Sequence, residues 1–225
     1  MDKYVISEQG QQCLQQLMKI WFDFERQVGR VSIISRLEKG LFNEDDYRCL
    51  LLNMRQQVIE GSRWISRTAS SFDRDYSDVR SEIIQHAKDE HRDYLVLEQD
   101  YINVGGKLED IQNHDRNAGT EALHAFMMYR ASQPNPIDMI GAMWIIEGLG
   151  HKMANGWAKQ IQSCLHRDNG TQFMQYHGEN DQEHLEKLYK LIDRVCQNDE
   201  QLKSITRTAR VVGRLYALQL EEIDA

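Results

Sequence analysis

Proline is almost absent from this chain of 225 residues, and the two prolines that occur both lie in the PNP stretch at 134–136. Glycine is modest at 14 residues, and runs of valine, isoleucine and threonine of the kind that form strands are scarce. The apolar residues recur mainly three and four positions apart. Because this is the spacing of one helix face, the sequence predicts an all-α protein.

Several functional classes are disfavoured by other missing features. The chain has no run of 18 apolar residues, and its start, MDKYVISEQGQQ, lacks the apolar core of a signal peptide. The net charge is -8 without any basic block, and none of the four cysteines forms a CxxC pair. We therefore expect a cytoplasmic protein with reduced thiols that binds neither nucleic acid nor membranes.

Capping and breaking residues divide the chain into helices. Asn43 precedes three acidic residues, which suits a helix N-terminus, and the pair Gly105-Gly106 suits a helix end. With no linker or internal repeat, we expect one domain over residues 1–225, a bundle of seven main helices plus a short one at 31–39. The predicted main helices cover about 7–28, 43–71, 78–103, 120–132, 137–165, 171–196 and 199–222.

The stretch YHGENDQEH at 176–184 places His177, Asp181 and His184 at positions 0, +4 and +7. On an α-helix these positions share one face. The stripe is either a solvated polar face or half of a metal site. Phe173 and Leu188, on the same rows, favour the second interpretation because they predict that the stripe points into the core.

A second stripe repeats this spacing with His86, Glu90 and Asp93, and a third predicted helix carries Glu147 inside the apolar stretch MIGAMWIIEGLG. Mixed carboxylate and imidazole donors suit divalent metals, and helical bundles build two-metal sites from facing helices. The simpler alternatives are a solvated charged face at 86–93 and a surface glutamate paired with Lys152.

Three stretches carry a resemblance to a known family: HAKDEHRDYLVLEQDYINVGG, PIDMIGAMWIIEGLGHKMA and YHGENDQEHLEKLYKLID. Residues from about 30 to 195 resemble the haem-oxygenase-like di-iron oxidases, often described as iron-containing redox enzymes, whose wider relatives include thiaminase II and pyrroloquinoline-quinone synthase. The family has a glutamate in an E-G-L-G-like helix and H-xxx-D-xx-H about thirty residues later. Glu147, His177, Asp181 and His184 match that pattern.

The chain departs from the family pattern in the first stretch. Counting back from Asp100 puts Asp93 where the resemblance predicts a histidine, with Glu90 as the carboxylate and His86 one turn earlier. An alternative register uses His91, which lies about 160° from Asp93 around a helix. The resemblance thus implies a haem-oxygenase-like fold and the metal ligands His86, Glu90, Asp93, Glu147, His177, Asp181 and His184.

The implied function is a non-haem di-iron, or Mn/Fe, oxidase or oxygenase that uses O2 to oxidise a small organic substrate inside the bundle, as a homodimer. The alternative is a metal-free or degenerate member, either a cofactorless oxidase or a small-molecule binding protein, which the missing histidine favours. Haem is not expected, because the first histidine of the chain, His86, comes too late for a haem ligand on the first helix. Possible pocket walls are Phe126, Tyr129, Met143 and Trp144, although such residues are more often plain core.

Overall fold

The computed structural model describes residues 5–224, and within that range the regular structure is helical throughout. The all-α prediction is therefore confirmed. The twelve α-helices of the described residues are α1 Glu8–Val28, α2 Ser32–Glu38, α3 Glu44–Val58, α4 Gly61–Ser70, α5 Ser77–Asp89, α6 Asp93–Asn103, α7 Leu108–Gln112, α8 Ala118–Ala131, α9 Met139–Leu149, α10 Asn155–Leu165, α11 Gln172–Val195 and α12 Asp199–Glu221.

The expected number of seven main helices is wrong because three long predicted helices are interrupted. The first break falls between α3 and α4, where the side chain of Glu60 forms ion pairs with Arg63 and Arg116 at 2.8 and 2.7 Å. The second is a 3-10 turn over Glu90–Arg92 between α5 and α6, and the third is a π-turn over Gly150–Ala154 between α9 and α10. Tight and wide turns of this kind inside helices often mark functional positions.

Helix α9 forms the centre of the bundle. Every residue from Met139 to Leu149 is buried except Ile146, as expected for a helix that is apolar all round. It packs against α11 and α12, and α12 also packs along α1 and α8. This arrangement brings α9 and α11, two of the helices that carry the predicted ligands, into direct contact.

The relative position of α6 and α11 is fixed by a buried carboxylate, Asp100. It accepts hydrogen bonds from the backbone N–H groups of Gln172 and Phe173 at 3.0 and 2.8 Å. These are free donors at the first turn of α11, so Asp100 caps that helix from a distant part of the chain. At another helix start, α8 begins at Ala118, two residues before the predicted start, because Asn117 caps it by accepting from the N–H of Thr120.

Candidate metal centre

Seven predicted side chains from three parts of the chain face one another in the bundle interior. Helix α9 contributes one carboxylate, α11 contributes two imidazoles and a carboxylate, and the α5–α6 region contributes the rest. Four of them are buried and three are half-buried. The set is His86, Glu90, Asp93, Glu147, His177, Asp181 and His184.

Glu147 is the centre of a first group of ligand atoms. Its Oε1 lies 2.8 Å from His86 Nε2, and its Oε2 lies 3.1 Å from His184 Nδ1. Glu90 Oε1 approaches the same His184 nitrogen at 3.5 Å. Each of these four residues offers one ligand atom, and these atoms all lie within 4.8 Å of one another. Glu147 therefore pairs with histidines and not with Lys152, which is exposed.

A second group consists of Glu90, Asp93 and His177, whose ligand atoms also all lie within 4.8 Å of one another. His177 Nε2 lies 3.5 Å from Asp93 Oδ2. Glu90 belongs to both groups, so its carboxylate lies between the two sets of donors. The aspartate that stands in place of the family's histidine thus contributes an oxygen at the position where the resemblance implies a ligand.

Asp181 occupies a different position from the other six. Its Oδ1 lies 3.1 Å from Nδ1 of His177, on the side of the ring away from Asp93, and it is a member of neither group. Its Oδ2 lies against Gly150, where an added Cβ would come within 1.6 Å of that oxygen. This geometry suits a carboxylate that orients His177 and fixes its tautomer, whereas the resemblance implies a direct ligand.

A family model described as iron-containing redox enzyme matches residues 58–217 of the chain. The chain belongs to the family of iron-containing redox enzymes. The resemblance drawn from the sequence is therefore confirmed at the level of the family. A comparison with curated proteins found no match.

Solved structures confirm the fold of this iron-containing redox enzyme family member. A domain of unknown function with a haem-oxygenase-like fold from Shewanella denitrificans OS217 has a TM-score of 0.85 at 18% identity, covering 92% of this chain and 89% of its own. A TenA homologue from P. horikoshii OT3 has a TM-score of 0.76 at 14% identity, covering 97% and 98%. A TenA homologue from Pseudomonas syringae has a TM-score of 0.77 at 12% identity, covering 99% of both chains.

The electrostatics of the family member's cluster are dominated by buried carboxylates. Burial raises the pKa of Glu90 well above its usual range, and the charges of Glu147 and Asp93 add to this rise. Burial also raises the pKa of Asp93, and it raises that of Asp181 to about 6. Without a cation, these carboxylates would thus take up protons more readily than free ones, because their charged forms repel and are poorly solvated.

Histidines offset the charge of the remaining carboxylate. Burial raises the pKa of Glu147, but His86 and His184 outweigh burial and bring it down to about 2. Burial lowers the pKa of His184 and of His177, but their hydrogen bonds to Glu147 and Asp181 raise both above the usual value. Glu147 is therefore an anion held by imidazoles, whereas the imidazoles lower the pKa of Asp93 and Asp181 too little to outweigh burial.

Three ligand atoms in this cluster are buried without a hydrogen bond among the described residues: Glu90 Oε1, Asp93 Oδ2 and His177 Nε2. They are the three atoms by which the second group would hold an ion, and buried polar atoms without partners are rare. The donor set of carboxylate oxygen and imidazole nitrogen is the one that ferrous and manganous ions accept. The residues present therefore fit a pair of such ions.

One neighbouring carboxylate was not predicted from the sequence. Asp89 Oδ2 lies 3.8 Å from His184 Nε2, the ring nitrogen that faces away from Glu147, and its Oδ1 accepts a hydrogen bond from Gln85. No sequence signal distinguishes Asp89 from the other acidic residues around it, because only the turn at the end of α5 brings it close to α11. The alternative ligand His91 is exposed.

An apolar cavity of about 80 Å³ adjoins the cluster. Glu90, Glu147, His177 and Asp181 form its polar side, and Trp64, Trp157 and Phe173 are among the apolar residues that line it. The sequence did not predict these walls. Met143 and Trp144 are buried elsewhere in the core, with Trp144 packed edge-to-face on Trp21, and Tyr129 is exposed.

Proposed function

We propose that this chain is a non-haem di-iron oxidase or oxygenase that uses O2 to oxidise a small organic substrate in the bundle interior. The observation that carries the proposal is the pair of adjoining ligand groups that share Glu90. In the first group Glu147 accepts hydrogen bonds from both histidines, whereas three buried ligand atoms of the second group have no hydrogen bond among the described residues. A cation between them would satisfy these atoms and offset the raised pKa of the carboxylates.

In this proposal, His86, Glu147 and His184 hold one ion, Asp93 and His177 hold the other, and Glu90 serves both. The same donors accept manganese, so a mixed Mn/Fe pair is equally compatible with them. The irons, when bound, supply the reduction of O2 and the oxidation of the substrate. Haem has no part in the proposal.

The protein's own side chains then bind, orient and exclude water. The hydrogen bond that His177 Nδ1 donates to Asp181 fixes the His177 ring, so that Nε2 faces the ion site. The apolar cavity holds the substrate beside Glu90 and Glu147 and keeps bulk water away from them. We further propose a homodimer in a cytoplasmic setting. No helix within residues 5–224 is both long and apolar enough to cross a membrane.

A second candidate function is a metal-free member, either a cofactorless oxidase or a small-molecule binding protein. Two observations favour it. Asp93 replaces the histidine that the resemblance predicts, and Glu147 accepts hydrogen bonds from His86 and His184, so that these side chains satisfy one another. In this case the polar cluster would bind a ligand directly in the cavity.

Metal content separates the two candidates. The protein is incubated with ferrous iron without oxygen and desalted, and its iron is measured by elemental analysis. We expect two irons per chain in the wild type, with a loss in His177→Ala, because that variant removes a donor of the second group. His91→Ala is the matched control, since His91 is exposed on the neighbouring turn and should leave both irons in place.

A wild-type protein that retains no iron, or a His91→Ala variant that loses iron as His177→Ala does, would contradict the di-iron proposal. A second measurement follows the consumption of O2 by the iron-loaded protein with a reductant. The wild type and His91→Ala should consume O2 at similar rates. His177→Ala should be slower.

A further inference from the structure

The cavity beside the cluster has one polar side, and its other walls are apolar except for Gln57 and Tyr216. At about 80 Å³ it is several times larger than the roughly 10–15 Å³ that one water needs. None of the described residues that line it is a lysine or an arginine. A charged group away from the cluster would therefore be buried without a counter-charge, which is strongly unfavourable.

Tyr216 supplies an uncharged hydrogen-bonding group to this cavity. It lies on α12, lines the cavity and is only 3% exposed, and its ring packs edge-to-face on Phe24. Burial alone raises the pKa of its hydroxyl, so that group stays protonated. No hydrogen bond joins the hydroxyl to another side chain or backbone group among residues 5–224. The hydroxyl oxygen is not fully buried, so a water or a ligand in the cavity can reach it and form a hydrogen bond with it.

Gly61 forms part of the cavity wall at the first position of α4. Its φ angle is not in the left-handed region, and a Cβ added there would have no atom within 4 Å. Neither backbone conformation nor close packing therefore requires a glycine. The consequence of its presence is that the cavity has no side chain at this point.

We propose that the substrate is a predominantly apolar molecule with no charge along its body, and that Gly61 limits its size. Tyr216 binds an uncharged oxygen or nitrogen of that body, and any charged end of the molecule lies at the cluster. This inference rests on the proposed function, because it takes the cavity to be the place where the oxidised substrate binds.

Calorimetric titration with hexan-1-ol tests the size limit in the metal-free protein. Gly61→Leu should weaken binding at least about tenfold, since displacing two methylene groups from the cavity is enough for that loss. Gly61→Ala should show a smaller loss. Gly156→Leu is the control, because Gly156 is exposed on α10 and a Cβ there also meets nothing within 4 Å.

Wild-type protein that fails to bind hexan-1-ol, or Gly61 variants that bind it as tightly as the wild type, would overturn the inference. Melting temperatures check that the variants fold, and Gly61→Ala remains interpretable if the leucine variant does not. Tyr216→Phe should weaken the binding of hexan-1-ol by about three- to tenfold through the lost hydrogen bond, and an unchanged affinity would remove Tyr216 from the site.

The absence of charge along the substrate body is tested in the iron-loaded protein with hexanoate and hexanedioate. Each can place one carboxylate at the cluster, but only hexanedioate carries a second charge into the apolar end. Hexanedioate should bind at least about tenfold more weakly, and equal affinities would refute the assignment. A protein that takes up no iron yet binds hexan-1-ol in a Gly61-dependent way would refute the oxidase and leave the cavity inference standing.

Discussion

Replacing His184 with alanine should abolish most of the thermal stabilisation that the iron of the first ligand group gives this protein. His184 Nδ1 lies 3.1 Å from Glu147 and 3.5 Å from Glu90, so the substitution removes a donor from the first ligand group. It also removes a hydrogen bond from the metal-free protein. The quantity to compare is therefore the change in melting temperature on adding iron, measured separately for each variant.

The size of the effect follows from mass action. A ligand that binds only the folded state, at 100 times its dissociation constant, stabilises it by about 2.7 kcal/mol. For a chain of this length, each kcal/mol raises the melting temperature by about 2–4 °C, so one iron should raise it by about 5–11 °C. If His184→Ala weakens that iron about 100-fold, only about 0.4 kcal/mol and about 1–2 °C remain.

The assay is scanning calorimetry without oxygen, with and without ferrous iron. Glu183→Ala is the matched control, because Glu183 is exposed, precedes His184 on the same helix and pairs with Lys187 at 2.9 Å. It should keep the full iron-induced rise. If Glu183→Ala loses the rise and His184→Ala keeps it, the register of α11 is wrong, and if both keep it, iron binds elsewhere.

Three further predictions concern the cluster. In the metal-free protein, the free energy of unfolding should fall as pH rises from about 4 to about 6. The folded-state pKa of Asp181 is raised from 3.8 to about 6, and the pKa of Glu90 is also raised. The folded state therefore binds more protons than the unfolded state in this range and loses that advantage as pH rises. Chemical denaturation across this pH range measures the free energy of unfolding. If its dependence on pH is the same in Asp181→Asn as in the wild type, the prediction is contradicted. Gly150→Ala should lower both the melting temperature and the iron content, because the added Cβ would come within 1.6 Å of Asp181 Oδ2. Gly156→Ala is the control: its Cβ would meet nothing within 4 Å, so it should raise the melting temperature by a few degrees. Iron should slow amide hydrogen exchange most strongly around the turn at 90–92, because like charges repel there when no cation is bound. Exchange is followed by mass spectrometry, and equal slowing in α12 would refute this localisation.

The local sequence was sufficient to predict that the regular structure is helical and that the ligand stripe on α11 faces the core. Periodicity alone predicted that His177, Asp181 and His184 point inward with Phe173, and Asp181 is 2% exposed in the structure. Such a pattern can be recognised in the sequence because residues three or four positions apart lie on the same face of a helix, whichever element packs against that face. Whether these side chains ligate metal remains a prediction.

Tertiary contacts decided where the long helices break. Nothing in the local sequence marks Glu60 as a helix break. Its side chain forms an ion pair with Arg116, which lies in a distant loop, and α3 ends two residues before it. The π-turn that begins at Gly150 brings that residue against the carboxylate of Asp181. These partners are far apart along the chain, so no local pattern contains them.

Contacts between residues far apart along the chain also explain which features of the site could not be predicted from the sequence. Spacing placed Asp181 on the ligand stripe, but only the packed structure shows that it lies behind His177. The cavity and the open space at Gly61 exist only where α3, α4, α9, α10, α11 and α12 come together, because a cavity is defined by surfaces that meet in three dimensions. The sequence by itself determined which residues are candidate ligands, and the tertiary structure decided which of their atoms face one another.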